Sequence, residues 1–240
     1  MKDIVRYGVL STARIARNQH IPAAAGVPNA SVSAISSRNA ARAAEIAREL
    51  EIPKAYGSYD ELLADPEIDA VINALPNSLH CEWTIKAAEA GKHILCEKPL
   101  AITVSECHAM IDAAAANGVL LYEGFTQHFN PILNTIREKL GGGDLGEIRI
   151  VRSELTYSLT DWENDVRADR RLGGGALFDA GCYVVNTIRT LLGEEPEDVY
   201  AMMRRHAKNR IDSTLVGLMR FPREHLAYIA TGMEEPFRFT

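Results

Sequence analysis

The first half of the chain alternates short apolar runs with longer amphipathic segments, and this alternation constrains the fold more than any other feature. The runs that predict β-strands are IVRYGVLS, ASVSAISS, IDAVINALP, KHILCEKP and VLLYEG. The segments between them, such as NAARAAEIAREL, carry apolar residues at helical spacing. Strands that alternate with helices form a parallel sheet that is covered by helices on both faces. The sequence therefore predicts an α/β fold, with a doubly wound parallel sheet over residues 1–122.

The second half of the chain follows a different pattern, which begins after Gly124. A predicted helix, PILNTIREKL, and a strand, EIRIVRSELTYS, precede a polar loop and a second helix, GALFDAGCYVVNTIRTLLG. Three strand-like runs then follow without helices between them: DVYAMMRRH, STLVGLMRF and HLAYIATGM. Strands in series form antiparallel or mixed sheets. We therefore expect residues 123–240 to form an α+β domain with an open, mostly antiparallel sheet.

The composition favours a small molecule as the partner of this chain. The formal net charge is −6 at pH 7, and acidic and basic residues are interspersed. Nucleic acids and anionic membranes select clustered Lys and Arg, so we expect neither as a partner. The four cysteines lack C-x-x-C spacing, which predicts reduced thiols without a metal or a disulfide. No leader-like segment or apolar run of about 18 residues is seen, so we expect a cytoplasmic protein.

The turn after the first predicted strand has small residues where a dinucleotide-binding Rossmann turn has glycines. Ser11, Ala13 and Ala16 occupy the three glycine places of the pattern G-x-G-x-x-G. Small side chains let a pyrophosphate approach the backbone, and the N–H groups at the start of the next helix attract its charge. Such turns also occur in α/β proteins that bind no nucleotide. The residues of this turn that are predicted to bind the cofactor are Ser11, Thr12, Ala13, Arg14 and Ile15.

The end of the second predicted strand bears on the choice of cofactor. NAD-binding sites usually carry an acidic residue there, which binds the 2′-hydroxyl of the ribose. This chain has Ser36, Ser37 and Arg38 instead. Hydroxyls and a guanidinium can bind the 2′-phosphate of NADP, although Arg38 can equally be an exposed loop residue. We predict NADP as the cofactor, with NAD as the alternative, and Ser37 and Arg38 as cofactor-binding residues.

Two longer motifs resemble those of a known family. Residues 74–101 read ALPNSLHCEWTIKAAEAGKHILCEKPLA, and residues 173–186 read GGGALFDAGCYVVN. They are similar to the P-N-x-x-H, E-K-P and G-G-G-x-L-x-D-x-G-x-H/Y motifs of the Gfo/Idh/MocA family, which includes glucose-fructose oxidoreductase and inositol dehydrogenase. The STAR turn, the segment DVRADRRLGGGAL and the final Tyr look most like its branch of xylose-type sugar dehydrogenases and dihydrodiol dehydrogenases. The resemblance covers nearly the whole chain and implies a Rossmann domain followed by a substrate-binding and dimerisation domain.

The catalytic residues that this resemblance implies are Lys98, Tyr183 and Asp179. Lys98 precedes a proline at the end of a predicted parallel strand, the edge where open α/β sheets bind ligands. Asp179 and Tyr183 stand four residues apart and so share one helix face. An ammonium beside Tyr183 would lower its ordinary pKa of about 10 and improve proton exchange near neutrality. Taken without the resemblance, Asp179 can be a surface carboxylate and Tyr183 a packed core aromatic.

The resemblance also implies further contacts to the cofactor and the substrate. Additional cofactor-binding residues are expected on the loops after two later strands: Leu75, Pro76, Asn77, His80, Glu97 and Lys98. The residues expected to bind substrate are Arg167, Asp179 and Tyr183, although Arg167 can equally form a surface ion pair. His128 stands where the family usually has Arg, and no role is assigned to it.

The leading hypothesis is an NADP-dependent oxidoreductase that transfers hydride between the nicotinamide and a C–OH/C=O carbon of a sugar or related polyol. The alternatives are an NADP(H)-binding protein without turnover and a trans-dihydrodiol dehydrogenase. The substrate itself stays open, because substrate contacts lie largely on loops. Family members usually extend further at the C-terminus, so we expect an incomplete sheet whose edge favours a homo-oligomer. The expected partners are a carbohydrate or polyol and a second copy of the chain.

Overall fold

The computed structural model of the protein describes residues 4–240, which divide into one compact unit that ends at Gly124 and another that comprises Phe125–Thr240. The strands of the first unit are β1 (Val5–Leu10), β2 (Ala30–Ser36), β3 (Lys54–Tyr56), β4 (Ala70–Asn73), β5 (His93–Cys96) and β6 (Leu121–Glu123). Its helices are α1 (Ile21–Ala25), α2 (Ala40–Glu49), α3 (Tyr59–Leu63), α4 (His80–Glu89) and α5 (Val104–Ala116). A π-helical segment, Ala16–His20, leads into α1.

The strands of the first unit form one parallel sheet in the order β3-β2-β1-β4-β5-β6. This is the doubly wound Rossmann order, and it confirms the fold predicted for this part of the chain. The strand order reverses between β1 and β4, and such sheets bind ligands at the carboxyl ends of the strands beside this switch point. The turn with Ser11 follows β1 and the loop with Leu75 follows β4, so both lie there.

Burial on both faces of the sheet explains the apolar runs of the central strands. Val9 and Leu10, adjacent in β1, are both fully buried but belong to different core clusters. Val9 shares its cluster with Ile46 of α2, and Leu10 shares the other with Leu62 of α3. Successive side chains of a strand point to opposite faces. Apolar side chains are therefore needed at consecutive positions, and the run is continuous.

The second unit contains a mixed sheet. Its strands are β7 (Ile150–Ser158), β8 (Asp198–Arg205), β9 (Asp212–Arg220), β10 (Leu226–Gly232) and β11 (Glu234–Phe239). They lie in the order β11-β7-β10-β9-β8, in which β7 and β10 are parallel and the other neighbours are antiparallel. The open, mostly antiparallel sheet predicted for this part of the chain is therefore confirmed.

The helices of the second unit are α6 (Pro131–Gly141) and α7 (Cys182–Leu192). Val184 and Ile188 of α7 are fully buried in the cluster that packs on the sheet. A π-helical segment, Leu177–Gly181, runs directly into α7. Asp179 and Tyr183 therefore lie on one continuous helical path, and π-helical segments are frequent at functional sites.

Several local features complete the comparison with the sequence. The short elements β3, α3 and β11 depart from the prediction, which has no strand or helix at those places. All four cysteines are free thiols, and Cys96 is buried. Within residues 4–240, no helix combines the length and the apolar character that a membrane span requires. The cytoplasmic location stays a prediction.

Candidate active site

The turn after β1 reaches a glycine-like conformation without glycine. Ser11 has a backbone φ of 103°, in the left-handed region that residues with side chains rarely adopt. Its hydroxyl donates to the carbonyl of Ala74 and accepts the N–H of Ala13, each at 3.0 Å. The N–H of Ser11 donates to the carbonyl of Ser36 at 3.1 Å. Ser11 thus closes the turn and ties the end of β1 to the ends of its two neighbouring strands.

This conformation leaves the first turn of the following helix accessible. The helical backbone begins at Arg14, and both Arg14 and Ile15 are exposed, whereas Ala16 is fully buried. The first N–H groups of a helix have no partner within the helix and attract anions. The predicted residues from Thr12 to Ile15 therefore lie where backbone N–H groups can bind a pyrophosphate. Their contact with a cofactor stays a prediction.

The end of β2 presents a cation and no carboxylate. Ser37 and Arg38 follow the strand, and Arg38 is exposed. The Ser37 hydroxyl accepts the N–H of Asn39 at 3.2 Å. Burial raises the pKa of Tyr59 on α3, and the neighbouring Arg38 guanidinium opposes this shift. The Arg38 guanidinium therefore lies near the Tyr59 phenol at the strand end.

The buried side chain of His80 connects two of the predicted cofactor-binding loops. Its side chain is fully buried, with Nδ1 2.8 Å from the carbonyl oxygen of Pro99 and Nε2 2.8 Å from that of Leu75. Burial lowers the pKa of His80, whereas the two carbonyl oxygens favour the protonated ring and raise it. Pro76 and Asn77 of the same loop are partly exposed. This geometry favours a supporting role for His80 over the predicted direct contact with the cofactor.

Carboxylates hold the loop that carries Lys98. Lys98 follows β5 and is partly buried. Oε2 of Glu97 accepts the Lys98 N–H at 3.2 Å, and Oε1 lies 2.6 Å from Nε2 of His20. Further along the loop, the N–H of Leu100 donates to Oε1 of Glu123 at 2.7 Å. His20 belongs to none of the motifs that indicate this site.

In the second unit, two side chains anchor Asp179. The hydroxyl of Tyr157 on β7 donates to Oδ2 of Asp179, and Nη1 of Arg167 lies 3.9 Å from the same oxygen. Arg167 also donates to both carboxylate oxygens of Asp165, at 2.9 Å from Nε and 2.7 Å from Nη2. Burial and then the charge of Asp179 raise the pKa of Tyr157, so its phenol remains a donor. The predicted residues Arg167 and Asp179 therefore lie together, with Tyr157 as an unpredicted member of the cluster.

Tyr183 borders a cavity of about 330 Å³. The other residues that line this cavity are Thr126, Gln127, Asn130, Leu155 and Phe239. The Tyr183 ring packs edge-on against Phe125, with 5.6 Å between the ring centroids. Tyr183 therefore borders open space on one side and packs against Phe125 on another, and its contact with a substrate stays a prediction. Lys98 belongs to the first unit and Tyr183 to the second, and their action as a pair stays a prediction.

Close packing explains the glycine run before the helix of Tyr183. Gly175 has a φ of +131°, and a Cβ there would lie 2.1 Å from Oδ1 of Asp212. A Cβ on Gly174 would lie 2.4 Å from the carbonyl oxygen of Arg167. Oδ2 of Asp212 accepts the N–H of Leu177 at 2.6 Å and so satisfies the first turn of the helical segment. Because Gly175 has no side chain, the Asp212 carboxylate can approach and cap the helical segment Leu177–Gly181. No sequence motif indicates this cap.

His128 lies beside Phe125, with 6.0 Å between the ring centroids. It is exposed, and its Nε2 lies 3.1 Å from Oδ1 of Asn186. No role in binding follows from this contact.

Family models match most of the chain. The model of the oxidoreductase family with an NAD-binding Rossmann fold matches residues 5–125, and that of the GFO/IDH/MocA C-terminal domain matches residues 133–239. The chain belongs to the GFO/IDH/MocA oxidoreductase family. The resemblance carried by the CEKP and GGGALFDAGCY segments is thereby confirmed.

Known GFO/IDH/MocA relatives include both kinds of enzyme in the predicted branch. D-xylose 1-dehydrogenase (NADP(+)) 2 of Haloferax volcanii is 38% identical over 230 residues, which are 96% of this chain and 70% of the relative. The mouse trans-1,2-dihydrobenzene-1,2-diol dehydrogenase is 33% identical over 227 residues, which are 91% and 65% of the two chains. The chain spans about two thirds of the length of these curated relatives.

A solved GFO/IDH/MocA structure shares the fold of the whole chain. It is that of KijD10, a 3-ketoreductase from Actinomadura kijaniata in complex with NADP and TDP-benzene. The TM-score is 0.91 at 30% identity, and the match covers 98% of this chain and 71% of KijD10. The likeness confirms the Rossmann domain followed by a second domain with an open sheet.

Proposed function

We propose that this GFO/IDH/MocA member is an NADP-dependent oxidoreductase that interconverts a hydroxyl and a carbonyl group of a sugar or related polyol. The observation that carries the proposal is the place of Lys98. Its loop follows β5 and is held by Glu97. Like the Ser11 turn, it lies at the carboxyl ends of the parallel strands. A dinucleotide-binding turn and a lysine with a held backbone, both at the carboxyl ends of the strands, suit nicotinamide chemistry. The bound cofactor supplies or takes up the hydride, while the protein holds the substrate and moves the proton.

The residues at the switch point fit NADP. Ser11 and Ala13 place only small side chains at the turn, and the following helix offers backbone N–H groups for a pyrophosphate. Arg38 is exposed at the end of β2, where the segment Ser36-Ser37-Arg38 has no carboxylate to repel a 2′-phosphate. The relatives support the same cofactor, because the Haloferax enzyme is named for NADP and KijD10 was crystallised with it.

Tyr183 is proposed to exchange the proton of the reacting hydroxyl, and Lys98 is proposed to assist the same step. The ordinary pKa of a tyrosine, about 10, is too high for efficient exchange near neutrality. A lysine ammonium favours the phenolate and lowers that pKa. Lys98 would also donate a hydrogen bond to the substrate oxygen. Asp179, anchored by Tyr157 and Arg167, would accept hydrogen bonds from substrate hydroxyls and orient the reacting carbon.

The cavity beside Tyr183 supports a substrate with several hydroxyl groups. Its volume of about 330 Å³ lies at the small end of the range for ligand sites. Thr126, Gln127 and Asn130 line it with hydroxyl and amide groups, which can both donate and accept hydrogen bonds. These groups can pair with the hydroxyls of a sugar or polyol, while Leu155 and Phe239 give the cavity an apolar side.

A substrate panel tests this proposal. The purified protein is mixed with NADP or NAD and with D-xylose, other aldoses, polyols or a trans-dihydrodiol, and the absorbance of the reduced cofactor is followed. We expect turnover of at least one sugar or polyol, and a higher kcat/KM with NADP than with NAD. Turnover of the dihydrodiol alone would favour the second candidate, which the mouse relative suggests. Calorimetric binding of NADP without turnover of any compound would contradict an enzymatic function.

A further inference from the structure

His20 lies between the two parts of the first unit that the proposed function uses. It ends the π-helical segment Ala16–His20, which follows the Ser11 turn, and its side chain reaches the loop of Lys98. Nε2 of His20 lies 2.6 Å from Oε1 of Glu97, and only 14% and 13% of the two side chains are exposed. We infer that His20 is a positioning residue that holds Lys98 in its reactive place through the Glu97 carboxylate. This inference rests on the role proposed for Lys98.

Glu97 has the contacts that such a link needs. Its Oε2 accepts the N–H of Lys98 at 3.2 Å, and its own N–H donates to the carbonyl of Asn73 at 2.9 Å. One carboxylate oxygen therefore faces His20 and the other faces the Lys98 backbone, so a rotation of the carboxylate disturbs both contacts. The contact with His20 therefore orients the carboxylate that accepts the Lys98 N–H.

The residues after Lys98 have supports of their own. The carbonyl of Pro99 contacts His80, and the next residue donates its N–H to Glu123. Loss of the His20 contact is therefore expected to move Lys98 while the rest of the loop stays in place. A displacement of about 1 Å at a reacting group can lower a rate by about 100-fold. His20 also ends the helical segment that follows the predicted cofactor turn, so its contact with Glu97 links that segment to the backbone of Lys98.

Three substitutions of His20 separate positioning from packing. The amide of His20→Gln reaches the place of Nε2, His20→Asn carries the same amide on a shorter side chain, and His20→Leu has no donor. We expect the Asn and Leu variants to lower kcat about 10- to 100-fold with the Kd of NADP little changed. The Gln variant should restore most of the rate. His108→Leu, exposed on α5, is a matched control that leaves kcat unchanged.

A purely structural role would give a different result. All three variants would then lose thermal stability, NADP binding and kcat would fall together, and Gln would not restore the rate. That pattern, or full kcat in the Asn and Leu variants, would overturn the inference.

Hydrogen exchange of the unliganded protein separates this inference from the proposed function. Backbone amides of the peptide that contains Glu97 and Lys98 should exchange faster in the Asn and Leu variants, on the order of tenfold. Peptides of α5 should exchange at the wild-type rate in every variant. If no compound of the panel is turned over but exchange changes as expected, the proposed function fails and the positioning of Lys98 stands. Unchanged exchange at Glu97 and Lys98 would overturn the inference.

Discussion

At the scale of single residues, Ser11 shows how a turn without glycine keeps a glycine-like shape. Its φ of 103° costs about 1–2 kcal/mol for a residue with a side chain. Its hydroxyl takes part in two hydrogen bonds, each worth about 0.5–1.5 kcal/mol. Ser11→Gly removes both the bonds and the strain, so the free energy of unfolding should stay within about 1 kcal/mol of wild type.

Ser11→Ala provides the contrast, because it keeps the strain and loses both hydrogen bonds. We expect it to lower the free energy of unfolding by about 1–3 kcal/mol. Denaturant unfolding of the two variants measures the difference. An Ala variant more stable than the Gly variant, as is usual in regular structure, would show that the turn is not strained at Ser11.

The proposed proton transfer predicts a large kinetic effect at Tyr183. Tyr183→Phe removes the hydroxyl and keeps the ring that packs against Phe125. We expect kcat to fall about 10²- to 10⁴-fold, with the Kd of NADP nearly unchanged. Lys98→Ala should cost at least as much, and the double variant should lose far less than the product, because both groups serve one step. A Phe variant that kept most of its kcat in an assay limited by chemistry would make Tyr183 a packing residue.

Residues of the candidate site could be proposed from the sequence where a local motif marks them. Lys98 and Tyr183 stand in contiguous motifs that the family shares. His20, Tyr157 and Asp212 are single polar residues whose partners lie 77, 22 and 35 positions away along the chain. No local pattern marks such contacts, because only the fold brings the partners together.

At the scale of elements, the start of the helical segment Leu177–Gly181 depends on Gly175. An alanine there would hold a φ of +131° and place its Cβ 2.1 Å from Oδ1 of Asp212. Backbone strain costs about 1–2 kcal/mol, and displacement of the cap costs about 0.5–2 kcal/mol more. We therefore expect Gly175→Ala to lower the free energy of unfolding of the second unit by about 1.5–4 kcal/mol.

Gly193→Ala is the matched control for this change. Gly193 also has a positive φ, +66°, but no atom lies within 4 Å of the Cβ position. The control should therefore lose only about 1 kcal/mol. The fluorescence of Trp162 in a Trp83→Phe background follows the second unit alone, since the chain has two tryptophans, one in each unit. Equal losses of unfolding free energy in the two variants would show that the Asp212 cap contributes little to the stability of the second unit.

The elements that the sequence predicts differ from the missed ones in burial and length. The central strands β1 and β4 are buried on both faces, so their apolar runs stand out. β3 has three residues, reads KAY and lies at the edge of the sheet, and α3 is too short for a helical period to show. β11 is an edge strand that reads EEPFRF, and its charged residues and proline obscure the pattern typical of a strand. Short edge elements are thus set by tertiary pairing rather than by local sequence.

At the scale of the whole molecule, a charged cluster around Asp65 holds the first unit together at the amino ends of its strands. The Asp65 carboxylate accepts hydrogen bonds from Nζ of Lys54 at 2.8 Å, the Tyr56 hydroxyl at 2.7 Å and the Glu67 N–H at 2.8 Å. Nζ of the buried Lys92 donates to the backbone carbonyl of Asp65 at 2.7 Å. Because Lys54 begins β3 and Lys92 precedes β5, the cluster joins distant parts of the unit.

Acid is expected to weaken this cluster over a defined pH range. Burial would raise the pKa of Asp65, but the bonds from Lys54, the Glu67 N–H and Tyr56 outweigh it and lower the pKa from 3.8 to about 2. Because the folded-state pKa lies below the unfolded one, the contribution of the carboxylate is complete above about pH 4 and is lost as the pH falls toward 2. Asp65→Asn should therefore be less stable than wild type at neutral pH, and the difference should shrink as the pH falls through this range.

Denaturant unfolding at a series of pH values measures the difference in stability between Asp65→Asn and wild type. Unfolding is followed by the fluorescence of Trp83 in a Trp162→Phe background. Asp112→Asn, at an exposed position on α5, controls for the general effect of removing one carboxylate. Its unfolding free energy should stay close to that of wild type at every pH, because an exposed single charge contributes little to stability. A difference between Asp65→Asn and wild type that stayed constant down to pH 2 would mean that the side chain stabilises the unit by its shape and not by its charge. A difference that vanishes toward pH 2, beside an unchanged control, would assign the acid sensitivity of the first unit to this one carboxylate.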